Sequence, residues 1–265
     1  MKLLITGLAM ALAGPVAAQL LPPNEAGMTM GHIHLNVRDV EAHRKFWVEQ
    51  FDATQLQREG LPGVKLPGTL ILFSRRAPSG GSEGTVMNHL GLRVRSLAES
   101  LKRARAAGFE VPREFTGSEG FPNAYVIGPD EVRIELLQDT SLTVTAATHH
   151  LHYYLADPAT LRDWYVKTFS FKSGKRGQHL AADLPGMNLS FQPVDPPPTT
   201  GTKGRAIDHI GFEIKDLEAF CKKLEASGVK LDVPYRKVPS LGIAIAFLTD
   251  PSGVYIELTE GLDKY

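Results

Sequence analysis

The chain is written twice. HIHLNVRD begins at His32, and HLHYYLAD begins at His150, 118 residues later. LPGTLILF (66–73) returns as LPGMNLSF (184–191) at the same offset. NHLGLRVRSL (88–97) returns as DHIGFEIKDL (208–217) at an offset of 120, and GPDEVRIELL (128–137) as DPSGVYIELT (250–259) at 122. The order is kept while the offset barely drifts, which marks a duplication joined near TSLTVTAA (140–147). Each half also repeats internally: HIHLNVRDVEAHRKFW and NHLGLRVRSLAESLKR share one plan, as do HLHYYLADPATLRDWY and DHIGFEIKDLEAFCKK. A chain of this kind folds as four units of strand, helix and further strands.

Local signals agree. Leu97, Leu101 and Ala104 recur at helical spacing and stop at Gly108; Leu217, Phe220 and Leu224 do the same before Gly228. Ser96 and Glu99 form a capping box, and Asp157-Pro158 reads as an N-cap followed by proline at the first helical position. LILF, VRIELL, AIAFL and VYIEL are short and rich in β-branched and aromatic residues, as strands are. APSGGSEG (77–84) and QPVDPPPTTGTKG (192–204) read as loops at matching places in the two halves.

Within a strand, residues two apart share a face. His32 and His34 therefore point together, with Asn36 beyond them, and so do His150, His152 and Tyr154. His89 and His209 open matching strands, while Glu135 and Glu257 stand in otherwise apolar ones. A buried carboxylate is costly without a cation nearby, and two imidazoles with one carboxylate are a donor set for a divalent metal. One buried histidine is ordinarily a hydrogen-bonded core residue. Six residues recurring in register point instead to metal ligands in at least one half. Grouped by half, the sets are His32, His89, Glu135 and His150, His209, Glu257. If modules exchange between halves, His32 joins His209 and Glu257, while His150 joins His89 and Glu135; the sequence leaves both open. His34, His152 and Tyr154 are the candidate catalytic residues, with Asn123 and Tyr125 as further pocket residues. His43, His149 and His179 read as exposed, or as hydrogen-bonding to a ligand.

At 265 residues, 43 % hydrophobic and 22 % charged, the chain has enough apolar material for a sizeable core. Lys+Arg and Asp+Glu both number 29, and no basic stretch interleaves with aromatics, which argues against nucleic acid as a partner. MKLLITGLAMALAGPVAAQ reads as a secretory signal (1–18) with cleavage before Gln19. No cysteine follows it to carry a lipid, and no other segment is long and apolar enough to span a bilayer. The single cysteine, Cys221, rules out an intrachain disulfide and reads as a buried structural thiol. The expected location is the periplasm or the exterior.

The order His-strand-helix, then HLGLRV or HIGFEI, then GP or DP followed by IEL, resembles the vicinal oxygen chelate superfamily. That group includes glyoxalase I, fosfomycin-resistance proteins, methylmalonyl-CoA epimerase, bleomycin-binding proteins and extradiol dioxygenases. The resemblance spans about residues 29–260 and implies an α+β fold of four βαβββ modules, paired into two curved mixed sheets. It implies domains at 29–140 and 148–260, and ligands at His32, His89, Glu135, His150, His209 and Glu257 for a divalent metal: Fe, Mn, Zn or Ni. Departures narrow the activity. Leu72 and Ser190 stand where glyoxalase I carries a further glutamate ligand. SLGIAIAFLTDP has Phe247, and no histidine, where extradiol enzymes carry a Tyr and a His. The expected activity is a metal enzyme on a small substrate chelating through neighbouring oxygens, with dioxygenase-like chemistry preferred over glyoxalase- or epimerase-like chemistry. A metal-free drug-sequestering protein is the other class. The assembly is left open between monomer and homodimer.

Overall fold

The computed structural model describes residues 20–265; the signal segment expected at 1–18 lies outside them. Four βαβββ modules follow one another. The first is β1 (Met28–Val37), α1 (Val40–Phe51), β2 (Thr54–Gln55), β3 (Gly63–Leu66) and β4 (Thr69–Arg75). The second is β5 (Met87–Val94), α2 (Leu97–Ala106), β6 (Glu110–Thr116), β7 (Pro122–Ile127) and β8 (Arg133–Gln138). The third is β9 (Ala146–Leu155), α3 (Pro158–Phe169), β10 (Lys172–Arg176), β11 (His179–Leu184) and β12 (Met187–Pro193). The fourth is β13 (Ile207–Ile214), α4 (Leu217–Ala226), β14 (Val233–Val238), β15 (Ile243–Thr249) and β16 (Tyr255–Glu260).

The helix signals act as read. Asp39, Ser96, Asp157 and Asp216 each accept backbone N–H bonds at the start of α1 to α4. Gly108 and Gly228 adopt positive φ just past α2 and α4, a conformation that costs other residues more. No helix among the described residues is long and apolar enough to cross a membrane.

Pairing does not follow the sequence halves. One eight-stranded sheet runs β14-β15-β16-β13-β1-β4-β3-β2 and joins the fourth module to the first. The other runs β10-β11-β12-β9-β5-β8-β7-β6 and joins the third to the second. β1 pairs antiparallel with β13, and β5 with β9. The junction between the halves, Asp139–Thr145, thus lies inside one sheet. It is short, so modules two and three stay neighbours. The longer loops 76–86 and 194–206 carry the chain between sheets and are tied together: Val86 N–H donates to Thr200 O at 2.9 Å and Ala206 N–H to Gly80 O at 3.0 Å. The Arg205 guanidinium lies against Gly80, where a Cβ would come within 2.5 Å of Nη1. This close approach accounts for the glycine-rich stretch there.

One hydrophobic core runs through both sheets and includes Trp47, Phe169, Phe191 and Phe212. A smaller cluster of Leu56, Leu61, Leu70, Leu72, Ile243, Ile245 and Leu262 collects at the concave side of the first-described sheet. Cys221 is buried in the main core.

Candidate metal centre

Strand register assembles the candidate ligands in a row. On β1, His32 lies opposite Gly211 of β13, which in turn neighbours Glu257 of β16. On β9, His150 lies opposite Gly91 of β5, which neighbours Glu135 of β8. In each sheet the middle residue has no side chain, and the histidine ring leans across the gap. A Cβ on Gly211 would lie 2.0 Å from His32 Cε1, and one on Gly91 would lie 2.0 Å from His150 Cε1. The glycine of HLG and HIG is therefore room for an imidazole. Register shifts interrupt β1 beside His32 and His34, and β5 beside His89 and Gly91; bulges of this kind re-aim side chains next to active sites.

The exchanged grouping is the one formed. The first cluster is His32, His34, His209 and Glu257; the second is His89, Glu135, His150 and His152. In each, one donor atom per residue lies within 4.8 Å of all the others. The grouping by half fails because β1 finds its antiparallel partner in β13, not in β5.

In the first cluster, Glu257 Oε2 lies 3.0 Å from His32 Nε2 and 3.0 Å from His209 Nε2. His209 Nδ1 donates to Asp208 Oδ1 at 2.6 Å, and Asp208 Oδ2 accepts from Asn36 Nδ2 and Gly204 N–H, both at 2.7 Å. A carboxylate only accepts, so Asp208 places the hydrogen on Nδ1 and turns Nε2 toward Glu257. Burial opposes a charge on His209, but Asp208 and Glu257 outweigh it and raise its pKa to about 9. Burial likewise opposes ionised Glu257, yet the imidazoles of His209 and His32 hold it below the ordinary carboxylate range. Burial, then the neighbouring imidazoles, hold His34 well below its usual value, so it is neutral at neutral pH. Its Nε2 meets Ser74 Oγ at 2.8 Å, while its Nδ1 is buried without a partner, as is Nδ1 of His32.

These donors fit a divalent ion. Ligands held about 2.1 Å from one ion and at right angles sit about 3.0 Å apart, the spacing found here. One carboxylate oxygen confronted by two imidazole nitrogens is satisfied by protons or by a cation. The Asp208–His209 pair supplies the hydrogen bond that orients a metal-binding histidine. Asp208→Asn keeps an acceptor but removes the charge behind His209. It is expected to weaken metal affinity by about 10–100-fold, read by competitive titration with a chelator; unchanged affinity would count against the role.

In the second cluster, Glu135 Oε2 lies 2.7 Å from His89 Nε2 and 3.4 Å from His150 Nε2, and Asn123 Nδ2 donates to Glu135 Oε1 at 2.6 Å. Burial raises Glu135, but His150 and His89 overcome this and hold it far below the usual range. Here a neutral Asn88, not an aspartate, backs the histidine: its Oδ1 is 2.9 Å from His89 Nδ1. His152 and Tyr154 stand beside the cluster, with ring centroids 5.3 Å apart, and the Tyr125 ring lies 5.2 Å from His89. Arg176 reaches in, with Nη2 3.3 Å from His152 Nδ1.

The other histidines separate. His43 is buried and bonds Asp130 at 3.1 Å, away from both clusters, so its reading as exposed or ligand-supporting is corrected. His149 Nδ1 lies 3.1 Å from His150 Nδ1, and the His179 ring packs 4.8 Å from His152. Phe247 lies 5.4 Å from the His209 ring. Asp208, Asn88, Ser74, Gly211 and Arg176 were not singled out from sequence. The residue before each of His89 and His209, and the glycine two after it, were the available signals.

A cavity of about 250 Å³ opens onto the first cluster, lined by His32, His34 and Glu257 among apolar Leu61, Leu72, Ile243, Ile245 and Leu262. This is small even for a ligand pocket.

Residues 147–258 match the Glyoxalase/Bleomycin resistance protein/Dioxygenase superfamily, the vicinal oxygen chelate group. The fold is similar to that of glyoxalase I from Zea mays, which aligns over 89 % of this chain and 94 % of its own, with a TM-score of 0.71 at 16 % identity. A candidate dioxygenase from Bacillus subtilis subsp. subtilis strain 168 aligns over 87 % and 84 %, with a TM-score of 0.64 at 14 % identity. At such identities the likeness is one of fold. No curated protein matches the chain in sequence.

Proposed function

We propose that the chain is a divalent-metal enzyme working at the first cluster, on a small substrate that binds through two neighbouring oxygens. The observation that carries this is Glu257 Oε2 facing both His32 and His209 on the wall of an apolar cavity. A bound ion would be held by His32, His209 and Glu257, and would supply Lewis-acid activation, with redox capacity if it is iron or manganese. The apolar walls around Leu72, Ile243 and Ile245 exclude water and hold the body of the substrate. His34, neutral and lining the cavity, takes a proton from a substrate hydroxyl, and Ser74 fixes its ring.

Two histidines and one carboxylate are a donor set that would suit a non-haem iron ion, which favours dioxygenase-type chemistry. A lyase or isomerase is the second reading, because the same neutral His34 would serve to move a proton between carbons. A metal-free drug-binding protein needs no buried carboxylate between two imidazoles.

The test is metal analysis of the purified protein, followed by oxygen uptake with catechols and solvent-proton exchange with α-oxo compounds. Iron or manganese with oxygen uptake is the expected result. Zinc or nickel with exchange alone would transfer the assignment to the isomerase class, and a protein that binds no metal would overturn both. We place the mature protein in the periplasm or outside the cell, as a monomer or homodimer; an exported form beginning at Gln19 is the expected N-terminal sequence.

A further inference from the structure

The two clusters look alike in sequence, but besides the exchange of Asp208 for Asn88 they differ in one inward-turned side chain. Arg176 is only 5 % exposed and its guanidinium reaches the second cluster at His152. Three contacts hold it: Nε donates to Ser190 Oγ at 2.7 Å, Nη1 to Glu119 Oε2 at 2.9 Å, and Nη2 meets His152 Nδ1 at 3.3 Å. Ser190, in turn, donates to Asn188 Oδ1 at 2.6 Å.

A guanidinium only donates. His152 Nδ1 is therefore the bare nitrogen, and the ring hydrogen sits on Nε2, which is buried without a partner. A neutral His152 held this way has no lone pair left to offer an ion. The guanidinium is permanently charged; Glu119, at 2.9 Å, offsets part of that charge, and what is left repels a second cation brought beside it in a buried site. Asn88, lacking charge, adds nothing to offset this behind His89.

Among the described residues, no buried guanidinium touches the first cluster; Arg236, which lines its cavity, is exposed. Arg58, which stands at the position matching Arg176 by the 118-residue offset, turns outward. Its Nη2 donates to Leu241 O at 3.3 Å and its guanidinium covers the Tyr265 ring at 4.9 Å. The regular β10–β11 hairpin carries Arg176 inward, whereas residues 56–62 form an irregular loop, and Gly60, Leu61 and Pro62 line the cavity instead.

We propose that Arg176 serves as the internal cation of the second cluster, which consequently holds no metal, so that each chain carries one metal ion, at the first cluster. This rests on the assignment of the first cluster as the metal site. His89 and Glu135 then serve as a hydrogen-bonded polar pair within their sheet, with His150 packed beside them.

Cobalt(II) titration followed by absorption, with metal content measured after dialysis, tests this on the full chain. Wild-type protein is expected to hold one equivalent, His209→Ala none, and His89→Ala one. His209→Ala combined with Arg176→Met is expected to regain one equivalent at the second cluster. Two equivalents in the wild type, or a single one that His89→Ala removes and His209→Ala does not, would overturn the proposal. So would a double variant that keeps its near-ultraviolet circular dichroism but gains no metal. If that variant does not fold, the wild-type, His209→Ala and His89→Ala stoichiometries decide alone. A wild type that binds no cobalt sinks the metal-enzyme reading, while the double variant still decides whether Arg176 is what excludes the ion.

Discussion

Glu257→Gln is expected to abolish tight metal binding while leaving the fold intact. Glutamine keeps the size of the side chain and can still hydrogen-bond, so the row His32–Gly211–Glu257 retains its packing. What it removes is the one anion that faces both His32 Nε2 and His209 Nε2 at 3.0 Å. Asp208 cannot replace it, because it lies on the far side of the His209 ring, on Nδ1. Disturbing a residue that merely supports a ligand costs about 10–100-fold in affinity, so loss of the ligand itself should exceed about 100-fold. Isothermal titration and metal content after dialysis read the effect, with circular dichroism as the check on folding. Retention of wild-type affinity would remove Glu257 from the site.

Gly211→Ala is expected to damage stability and metal binding together. The added methyl would lie 2.0 Å from His32 Cε1, so the buried ring must shift, and the space open to it is the cavity that it lines. Forcing extra carbon into a packed interior costs roughly 1–3 kcal/mol, and a displaced His32 no longer reaches Glu257. Gly91→Ala makes the same intrusion on His150 in the other sheet. It should cost comparable stability in a denaturant titration, yet leave metal content unchanged. A Gly211→Ala protein as stable as wild type, with its metal in place, would show that the ring does not need the gap.

All six histidine and glutamate candidates fall in the two clusters that the structure forms; duplication singles them out by turning chance residues into a pattern that recurs. Their grouping was not. The offset from His32 to His150 is the same whether a site closes within a half or between halves, and only the antiparallel pairing of β1 with β13 distinguishes the two. Strand order of this kind depends on contacts far apart in sequence. Local motifs, by contrast, read well: the caps at Ser96 and Asp157 act as their residue types imply. Arg176 was invisible for the opposite reason. KSGKRG reads as a charged surface hairpin, and nothing in it signals that one of its cations turns inward. His43 misled likewise, since a histidine on a helix otherwise rich in charge gives no sign of the half-buried Asp130 that receives it.

The strand exchange also bears on ancestry. A half-length chain of this design would leave β1 and β5 without the antiparallel neighbours they have here, and would complete its sheets only by embracing a second copy of itself. In such an assembly every substitution is made twice, once in each copy of the site. The short splice at 139–145 ends that symmetry: Asp208 could arise behind one histidine while asparagine stayed behind the other, and one arginine could turn inward while its twin faced solvent.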